Sequence, residues 1–473
     1  MINISSDYSL LTDFYQLTMA NGYLLNGTAN KNAVFDLFFR KAPFKGVYAI
    51  CYGLSKALKD IHDMKFSNED IDYLQGLNVF SDPFLSYLAN WKCKLTIRSV
   101  EDGHVIFPLE PVVEVEGPLI QCQLIETFLL NSFNFPTLCA TKANRIWITS
   151  GKQPILEFGL RRAQGQNGGL IASESAVVGG CSGTSNVLAG KKYGINVSGT
   201  MAHSWVMSFE TELDSFRAYA DIYPNSCVLL VDTYDTLKSG VPNAIIVGKE
   251  LAAKGKELQG IRLDSGDIAA LSRKAREMLD KAGLKNTKIL ASNDLDEYTI
   301  EMIKQNKGEV DLWGVGTKLA TCYDQPALGG IYKLVEIEKE PKIKIADDIE
   351  KTTIPSKKQV YRLYNDNGFM IGDIIELFIK RSFKDDIAYD PSNTQNSYEL
   401  LKPAKVEPLL KFKMKKGTLM KQKKNWLDAR KKMETDISHL ADSSKKLTNP
   451  QEYKVGISRS LHELREKLIK RYS

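Results

Sequence analysis

A single histidine, His203, lies in the stretch SGTMAHSWVMSF (198–209), among small and apolar residues. The whole chain has only five histidines. A lone histidine in such a stretch is most often a buried core residue, but it can also act as a base or a nucleophile. Zinc binding is not favoured, because no second His or Cys stands at ligand spacing. Asp232 in LLVDTYDT and Asp264 in IRLDSGD are candidate carboxylate partners that would raise the basicity of the imidazole.

These two aspartates each end an apolar run, where an unpartnered carboxylate is unfavourable. Asp264, close to Arg262, could hold a sugar hydroxyl, a magnesium ion or a neighbouring imidazole. Aspartate is also a good helix N-cap, and for either residue alone a capping role explains the sequence as well as a role in a functional site.

Two other motifs suit a flat or anionic ligand. LEFGLRRAQG places Phe158 and Arg161 after an apolar run, where a ring can stack and a guanidinium can pair with a carboxylate or phosphate. WGVGTKLAT places Gly314, Gly316 and Thr317 where exposed N–H groups can bind phosphate. A core phenylalanine with surface arginines would also explain the first motif, and an ordinary tight turn would also explain the second. Neither the Rossmann fingerprint nor the P-loop pattern is present.

These candidates follow a series of short apolar runs that begins near residue 154. The six runs are PILEFGLRR, GINVSGTMAHS, SCVLLVDTYDT, LQGIRLDSGD, KILASNDLD and DLWGVGTKLAT. Helical segments separate several of them, and DIAALSRKAREMLDKAG is clearly amphipathic. Strands that alternate with helices are typically parallel. We therefore predict an irregular β/α barrel whose active site lies at the carboxyl ends of its strands, with GGCSGTSNVLAG as a polar loop.

The flanking regions have a different pattern. Within 8–26 a helix is expected, capped by Thr12 or Asp13. A strand is expected over 33–43, and a long helix over 119–150 that is interrupted near Pro136. Strand-like segments return after about residue 331. The predicted α/β architecture has three parts: an N-terminal α+β, sandwich-like domain (1–140), the β/α barrel catalytic domain (141–330), and a C-terminal segment (331–473) that returns to the N-terminal domain and ends in a Lys-rich helical tail.

Composition narrows the class of protein. The 473 residues are 43% hydrophobic and 25% charged, as in ordinary globular proteins, and no apolar segment is long enough to span a membrane. Seven scattered cysteines and no signal peptide favour a reducing cytoplasm. Residues 401–473 carry 20 basic and 8 acidic side chains, a net charge of +12, whereas the first 400 carry 43 and 49, a net charge of −6. This basic extension could attract a polyanion, but no nucleic-acid-binding motif supports that interpretation.

Six motifs together resemble the nicotinate phosphoribosyltransferase family. They are TDFYQLTMANGY, EFGLRRAQG, GTMAHSWVMSF, IRLDSGD, ASNDL and GVGTKLAT, in the family's order between about residues 8 and 365. The family couples nicotinate to 5-phosphoribosyl-1-pyrophosphate (PRPP), giving nicotinate mononucleotide and diphosphate, and ATP hydrolysis drives the reaction through a phosphohistidine. The resemblance implies this ligase activity in NAD salvage by the Preiss–Handler pathway, with ATP and Mg²⁺ as cofactors.

The resemblance also implies roles for individual residues. His203 would be the phosphorylated histidine, Asp232 would orient it, and Asp264 would bind ribose hydroxyls or Mg²⁺. Phe158 and Tyr15 would sandwich the pyridine ring, with the tyrosine supplied by the other subunit of a homodimer. The other implied ligands of nicotinate and diphosphate are Arg161, Thr200 and Arg262, and those of the 5-phosphate are Ser292, Asn293, Gly314, Gly316 and Thr317.

One position bears on substrate choice. The related nicotinamide enzyme has an aspartate at the position of Ser185, where it accepts a hydrogen bond from the amide. A carboxylate there would repel nicotinate, so the serine favours nicotinate as the substrate. The alternatives are nicotinamide or quinolinate as substrate, a phosphosugar isomerase or aldolase, which requires a Schiff-base lysine or a metal cluster, and a polyanion-binding protein that uses the basic extension.

Overall fold

The computed structural model describes residues 8–346, 351–379, 386–393, 395–420 and 425–472. The chain divides into two compact units. Unit 1 combines Met1–Leu138 with Ala327–Ser473, and unit 2 is the central segment Cys139–Pro326. Among the described residues, no helix is both long and apolar enough to cross a membrane.

The strands, in chain order, are β1 (Asn32–Phe39), β2 (Ala49–Ile50), β3 (Thr96–Ser99), β4 (Val105–Ile106), β5 (Val113–Pro118), β6 (Ile155–Glu157), β7 (Gly183–Thr184), β8 (Val228–Leu230), β9 (Gly260–Leu263), β10 (Lys288–Ala291), β11 (Leu312–Val315), β12 (Gly330–Ile337), β13 (Glu340–Pro341), β14 (Lys358–Tyr364), β15 (Met370–Leu377), β16 (Ile387–Tyr389), β17 (Ser397–Glu399), β18 (Lys405–Pro408), β19 (Lys411–Lys415), β20 (Thr418–Leu419) and β21 (Val455–Ile457).

The α-helices are α1 (Phe14–Leu25), α2 (Leu54–Asp63), α3 (Asn68–Gly76), α4 (Asp82–Ala89), α5 (Leu119–Leu124), α6 (Glu126–Thr149), α7 (Gly165–Gly179), α8 (Val187–Tyr193), α9 (His203–Met207), α10 (Glu212–Ile222), α11 (Val241–Ala253), α12 (Ile268–Lys281), α13 (Glu297–Gln305), α14 (Thr317–Ala320), α15 (Trp426–His439) and α16 (Arg459–Tyr472). Short 3-10 helices span Pro43–Lys45, Leu160–Arg162 and Asp442–Lys445, and a π-helix spans Thr236–Gly240.

Unit 1 is built on two large sheets and one small one. The strand orders are β13-β12-β1-β5-β3-β19-β20 and β17-β16-β21-β15-β14-β18, and β2 pairs with β4. Every described pairing in these sheets is antiparallel except β15 with β21. The strand expected over 33–43 is β1, which pairs with β12 on one edge and β5 on the other, and residues 33–37 of it are all buried.

Helix α1 begins at Phe14 with Asp13 at its N-cap, one of the two capping residues that the sequence predicts. Its buried face, including Leu17 and Ala20, packs in a cluster of apolar side chains within unit 1. The opposite face is in solvent, and Tyr15 on it is 50% exposed. A helix with one apolar stripe therefore presents this tyrosine outward.

The long helical pattern breaks at a different place from the one predicted. The break lies at Ile125, between α5 and α6, and α6 runs through Pro136 without interruption. Proline removes the hydrogen bond to the carbonyl four residues earlier, here that of Ser132. Gly53 packs against both residues so closely that a Cβ would lie 2.2 Å from the Ser132 oxygen. Tight packing therefore holds the helix where local preference would end it.

A buried ionic cluster lies inside unit 1. Arg362 makes a two-pronged contact with Asp373, with Nε 3.0 Å from Oδ1 and Nη2 2.7 Å from Oδ2. His104 Nδ1 is 2.9 Å from Asp436 Oδ2. Burial alone raises the pKa of the Asp436 carboxyl, but the hydrogen bond with His104 and the charge of Arg362 outweigh burial and hold the pKa well below its ordinary value.

The basic segment after residue 401 contributes strands to both large sheets of unit 1: β18 pairs with β14, and β19 pairs with β3. The sequence predicted only a Lys-rich helical tail there. In β19, KFKMK, lysines alternate with apolar residues, and Met414 is fully buried. The high lysine content hid this period-two pattern. Helices α15 and α16 form later parts of the same segment.

Unit 2 contains one sheet of six parallel strands in the order β7-β6-β11-β10-β9-β8. Five of the six predicted runs are strands of this sheet. The run GINVSGTMAHS is not, because it makes only an isolated bridge from Val197 to Thr184. The edge strand β7 comes instead from GGCSGTSNVLAG, which was predicted as a loop. Glycine and serine weaken strand formation in both segments, so the sequence pattern gave little basis for a choice.

Candidate active site

The site residues of unit 2 lie where parallel strands end. Strands β8, β9 and β10 are in register at Leu230, Arg262 and Leu290, so the loops that follow them begin at one level. Asp232 and Ser292 lie two residues beyond this level, after the ends of β8 and β10. The carboxyl edge of a parallel sheet is where ligands are commonly bound.

His203 is the first residue of α9, and its side chain is 42% exposed. The anchor of this short helix is Trp205, whose Nε1 donates to the Ser215 carbonyl (3.0 Å) and whose ring packs against Phe209 and Tyr219. The apolar residues after the histidine therefore hold the helix. The imidazole itself stays accessible.

Asp232 is the carboxylate nearest to that imidazole. Its Oδ1 is 3.4 Å from His203 Nε2 and accepts no hydrogen bond from the described residues. Its Oδ2 accepts from the Asp264 backbone N–H (2.9 Å) and from Ser265 Oγ (2.6 Å). One oxygen of the carboxylate is thus fixed by the loop after β9, and the other faces the histidine.

Arg262 on β9 is bonded to two other segments and to the residue that directly follows its own strand. Its Nε donates to Ser292 Oγ (2.7 Å), Nη1 to Thr200 Oγ1 (3.0 Å) and Nη2 to Asp264 Oδ1 (2.8 Å). Ser292 also donates to the same Asp264 oxygen. A guanidinium held by three partners keeps one orientation, which suits recognition of an anionic group.

Phe158 lies beside this arginine. The guanidinium carbon of Arg262 is 5.8 Å from the ring centroid, within the range of a cation–π contact. Gly314 lies against the ring, and a Cβ on it would be 2.7 Å from Phe158 Cε2 and 3.3 Å from the Ser292 Cβ. The glycine therefore makes room for the ring. The side chain of Arg161, by contrast, is exposed in the 3-10 helix Leu160–Arg162.

The loops after β10 and β11 are joined by an ion pair. Lys318 Nζ is 2.7 Å from Asp296 Oδ2. Burial alone raises the pKa of Asp296, but hydrogen bonds from Lys318 and Thr299 outweigh burial and lower it. Between Ser292 and this pair, Asn293 has a φ of +105°, a conformation that non-glycine residues seldom adopt. The loop after β10 is therefore held in an unusual backbone shape.

Comparison with known proteins identifies the family. Three family models match this chain: the nicotinate phosphoribosyltransferase (NAPRTase) N-terminal domain over residues 10–134, the NAPRTase family over 154–373, and the C-terminal domain over 357–465. A Bacillus subtilis (strain 168) nicotinate phosphoribosyltransferase is 43% identical over 457 residues, which cover 95% of this chain and 93% of that protein. The chain belongs to the nicotinate phosphoribosyltransferase family.

More distant members of the nicotinate phosphoribosyltransferase family also match most of the chain. The Homo sapiens relative is 33% identical over 515 residues, which cover 96% of this chain and 95% of that protein. The crystal structure of human nicotinic acid phosphoribosyltransferase superposes with a TM-score of 0.85 at 31% identity, covering 97% of this chain and 99% of that one. A nicotinate-nucleotide pyrophosphorylase from Pyrococcus furiosus shares the fold, with a TM-score of 0.72 at 21% identity over 93% of this chain and 97% of that one.

The structure brings most of the sequence-predicted residues of unit 2 into one connected set of contacts. These residues are Phe158, Thr200, His203, Asp232, Arg262, Asp264, Ser292 and Gly314. The residues without a described side-chain contact to this set are Arg161, Ser185, Asn293, Gly316 and Thr317. Tyr15 belongs to unit 1.

Two further residues were missed by the sequence analysis: Ser265, which contacts this set, and Glu157, which directly precedes Phe158 in the chain. Ser265 donates to Asp232, and its only signal was a hydroxyl directly after Asp264. Glu157, the residue before Phe158, is fully buried at the end of β6. A carboxylate inside a three-residue apolar strand requires donors, and that requirement was the available signal.

Proposed function

We propose that this protein couples nicotinate to PRPP, forming nicotinate mononucleotide and diphosphate, and that ATP hydrolysis drives the reaction through phosphorylated His203. The observation that carries the proposal is the position of Arg262 at the strand ends of a chain from this family. Its guanidinium is bonded to Thr200, Ser292 and Asp264 and lies over the ring of Phe158. A cation beside an aromatic face suits a flat ring that carries a carboxylate.

For the base, we assign Phe158 as one stacking surface, with Arg161, Thr200 and Arg262 near the carboxylate. Ser185, which is half-buried and neutral, allows that negative charge to approach. Holding the pyridine ring on one face of the sugar aligns its nitrogen with the anomeric carbon. Positioning of this kind supplies much of the rate in reactions between two bound molecules.

For PRPP, we assign Arg262 and Asp264 to the ribose and diphosphate, and the loops after β10 and β11 to the 5-phosphate. The assigned residues are Ser292 and Asn293 after β10, Gly314 within β11, and Gly316 and Thr317 directly after β11. Negative charge develops on the departing diphosphate, so fixed donors there stabilise the transition state. The rigid attachment of Arg262 means that little reorganisation is needed during the reaction.

Magnesium has one candidate protein ligand in this set. Asp264 Oδ1 is occupied by Arg262, whereas Oδ2 accepts no hydrogen bond from the described residues. The described residues contain no cluster of three or more His, Cys, Asp or Glu that could hold a metal. This donor set fits Mg²⁺, which usually binds through one or two carboxylates together with substrate phosphates. Mg²⁺ bound there would neutralise diphosphate charge, and Asp264 would hold it in place.

For the phosphohistidine, the contact with Asp232 suggests which nitrogen reacts. If Nε2 keeps its proton toward Asp232 Oδ1, 3.4 Å away, Nδ1 keeps its lone pair. The lone pair of neutral imidazole is the nucleophile toward the γ-phosphate of ATP, and ADP leaves. Asp232 stabilises the ring as positive charge develops on it.

We propose that Tyr15 completes the site from the other subunit of a homodimer. Its position on the exposed face of α1 is compatible with contact to a second chain. In such a dimer, a mixture of Tyr15→Ala and His203→Ala chains, each without ATP-stimulated synthesis by itself, regains that synthesis, because some sites receive both native residues. A mixture that stays as inactive as its components after subunit exchange contradicts the shared site.

Three finer points of architecture and setting belong to the same proposal. The parallel sheet of unit 2 is inferred to curve as an irregular β/α barrel, and the antiparallel sheets of unit 1 to form a sandwich-like domain. The structure describes all seven cysteines, none of them in a disulfide and six of them buried, which suits a reducing cytoplasm. The reaction would serve NAD salvage.

The aldolase alternative requires an amine that loses its proton near neutral pH. Lys318 is the second residue of α14, the short helix that follows β11. Burial lowers its pKa, but the hydrogen bond and charge of Asp296 outweigh burial and raise the pKa above its ordinary value. A lysine held as a cation is a poor Schiff-base nucleophile, so this alternative is disfavoured.

The test is direct. Purified protein is incubated with PRPP and Mg²⁺ and with nicotinate, nicotinamide or quinolinate, each with and without ATP, and the mononucleotide is measured by chromatography. We expect product from nicotinate, more of it with ATP, and ADP formed with it. Absence of product from nicotinate, or faster product formation from either other base, overturns the proposed function.

A further inference from the structure

Glu157 is a buried carboxylate that the proposed mechanism does not use. It is the last residue of β6, and its exposed fraction is 0%. One side-chain oxygen accepts a hydrogen bond from the Gly159 backbone N–H. The other accepts from Ser173 Oγ (2.9 Å) and Thr184 Oγ1 (2.6 Å).

The three donors come from three different segments. Gly159 is in the turn after β6, Ser173 is on α7, and Thr184 is on β7, directly opposite Glu157 in the parallel register. No cation forms an ion pair with Glu157 in the part of the chain that the structure describes. A buried carboxylate without a cation is unfavourable unless hydrogen bonds satisfy it, so these donors determine where the segments lie.

Two of these segments carry the proposed base-binding residues. Phe158 stands between Glu157 and Gly159, so the carboxylate closes the turn around it. The Glu157 main-chain carbonyl accepts from the Ser185 N–H (2.9 Å), while its side chain holds the preceding residue, Thr184. A single residue thus fixes both the stacking ring and the loop that contains Ser185.

The network continues beyond the carboxylate. Asn186, at the N-cap of α8, donates from its backbone N–H to Thr184 Oγ1 (3.0 Å) and from Nδ2 to Ser173 Oγ (3.2 Å). Residues on both sides of Ser185 are therefore held by groups that contact Glu157. Such a connected and satisfied network allows little independent movement of the loop.

We propose that Glu157 is a positioning residue for the pyridine ring. It sets the distance between the Phe158 ring and the loop of Ser185, and thereby the affinity for the base. The inference rests on the proposed function, because it takes these two residues as the walls of the nicotinate site. Glu157 acts through Phe158 and Ser185 and does not touch the base.

Glu157→Gln tests this with little change of shape. The amide keeps one acceptor for Gly159, but its NH₂ group faces two hydroxyl donors that must rotate to accept. We expect the KM for nicotinate to rise about tenfold, with kcat and the KM for PRPP each changed less than about twofold. Thr184→Val, which removes one donor and keeps the volume, should raise the same KM, and Thr184→Ser should restore it.

Glu297→Gln is the matched control, because Glu297 is equally buried in unit 2 and pairs with Arg145. It should lower the thermal midpoint without a selective effect on nicotinate. If the KM for nicotinate is unchanged in both Glu157→Gln and Thr184→Val, the inference about Glu157 is overturned. The proposed function still stands in that case, provided that the wild-type protein forms nicotinate mononucleotide. Equal rises in the KM for nicotinate and the KM for PRPP in Glu157→Gln also overturn the inference. If Glu157→Gln does not fold, the Thr184 pair decides.

Discussion

Asp232 points one carboxylate oxygen at His203 and gives the other to the loop after β9. The distance from Oδ1 to Nε2 is 3.4 Å, and Oδ1 is buried without a hydrogen bond from the described residues. The electrostatic attraction between this buried oxygen and the imidazole is strongest when the imidazole becomes positively charged. This pair therefore favours a histidine that gains charge during the reaction over one that only fills space.

Replacing His203 with alanine should separate ATP hydrolysis from the coupling of nicotinate to PRPP. We expect His203→Ala to abolish ATP stimulation and ADP formation, while slow ATP-independent synthesis from PRPP stays within about threefold of the wild-type rate without ATP. His62→Ala, at a similarly exposed histidine in unit 1, is the control and should behave as wild type. Full ATP stimulation in His203→Ala would show that another group accepts the phosphate.

Ser265 supplies one of the two hydrogen bonds to Asp232 Oδ2. A hydrogen bond to a charged group contributes about 1.5–3 kcal/mol, so Ser265→Ala should reduce ATP stimulation by at least about tenfold. The KM for nicotinate should stay within about twofold. Ser265→Thr keeps the hydroxyl and should retain most of the stimulation. If ATP stimulation is equal in Ser265→Ala and Ser265→Thr, the Ser265 hydroxyl has no role in the phosphorylation of His203.

Gly314 leaves space for the Phe158 ring. Gly314→Ala places a Cβ 2.7 Å from the ring, so the ring must move, and we expect the KM for nicotinate to rise at least tenfold. Gly76→Ala, where a Cβ meets no atom within 4 Å, is the matched control. Steady-state kinetics with nicotinate varied at saturating PRPP decide the result. Wild-type KM in Gly314→Ala would mean that the ring does not stack on the base.

A negative charge at Ser185 should discriminate against nicotinate. Two carboxylates about 4 Å apart repel by about 4 kcal/mol at an effective dielectric of about 20, so Ser185→Asp should lower kcat/KM for nicotinate by tenfold or more. Asparagine has nearly the same shape as aspartate but no charge, so Ser185→Asn should lower kcat/KM for nicotinate much less. If the Asp variant has the same kcat/KM as wild type, the loop does not face the substrate carboxylate.

Acid should destabilise unit 1 through Asp436. Its lowered pKa means that the unfolded chain takes up the proton first as pH falls through the ordinary aspartate range, so stability is present above about pH 4 and declines below it. Asp436→Asn should lower the free energy of unfolding by about 3 kcal/mol near neutral pH and make it depend less on pH below about pH 4. Urea unfolding between pH 3 and 7 measures both effects. Asp442→Asn, at a 99% exposed side chain, should retain the wild-type pH dependence.

The sequence by itself supplied the motifs, their order, and most of the parallel strands. Short apolar runs such as SCVLLVD and KILASND are buried strands because they contain consecutive apolar residues between polar turns. Local signals of this type also placed Asp232, Arg262 and Ser292 at strand ends. The family followed from six motifs read together, since each one alone had an ordinary structural explanation.

Only the tertiary structure decided which of these residues meet. Arg262 bonds to Thr200, 62 positions earlier, and to Ser292, 30 positions later, through strand order that no local pattern encodes. The same holds for β19, which pairs with β3 across more than 300 residues, and for Glu157 and Thr184. Local sequence fixes backbone preference and burial over a few residues. Partners brought together by chain folding depend on packing of the whole unit, which short-range patterns do not contain.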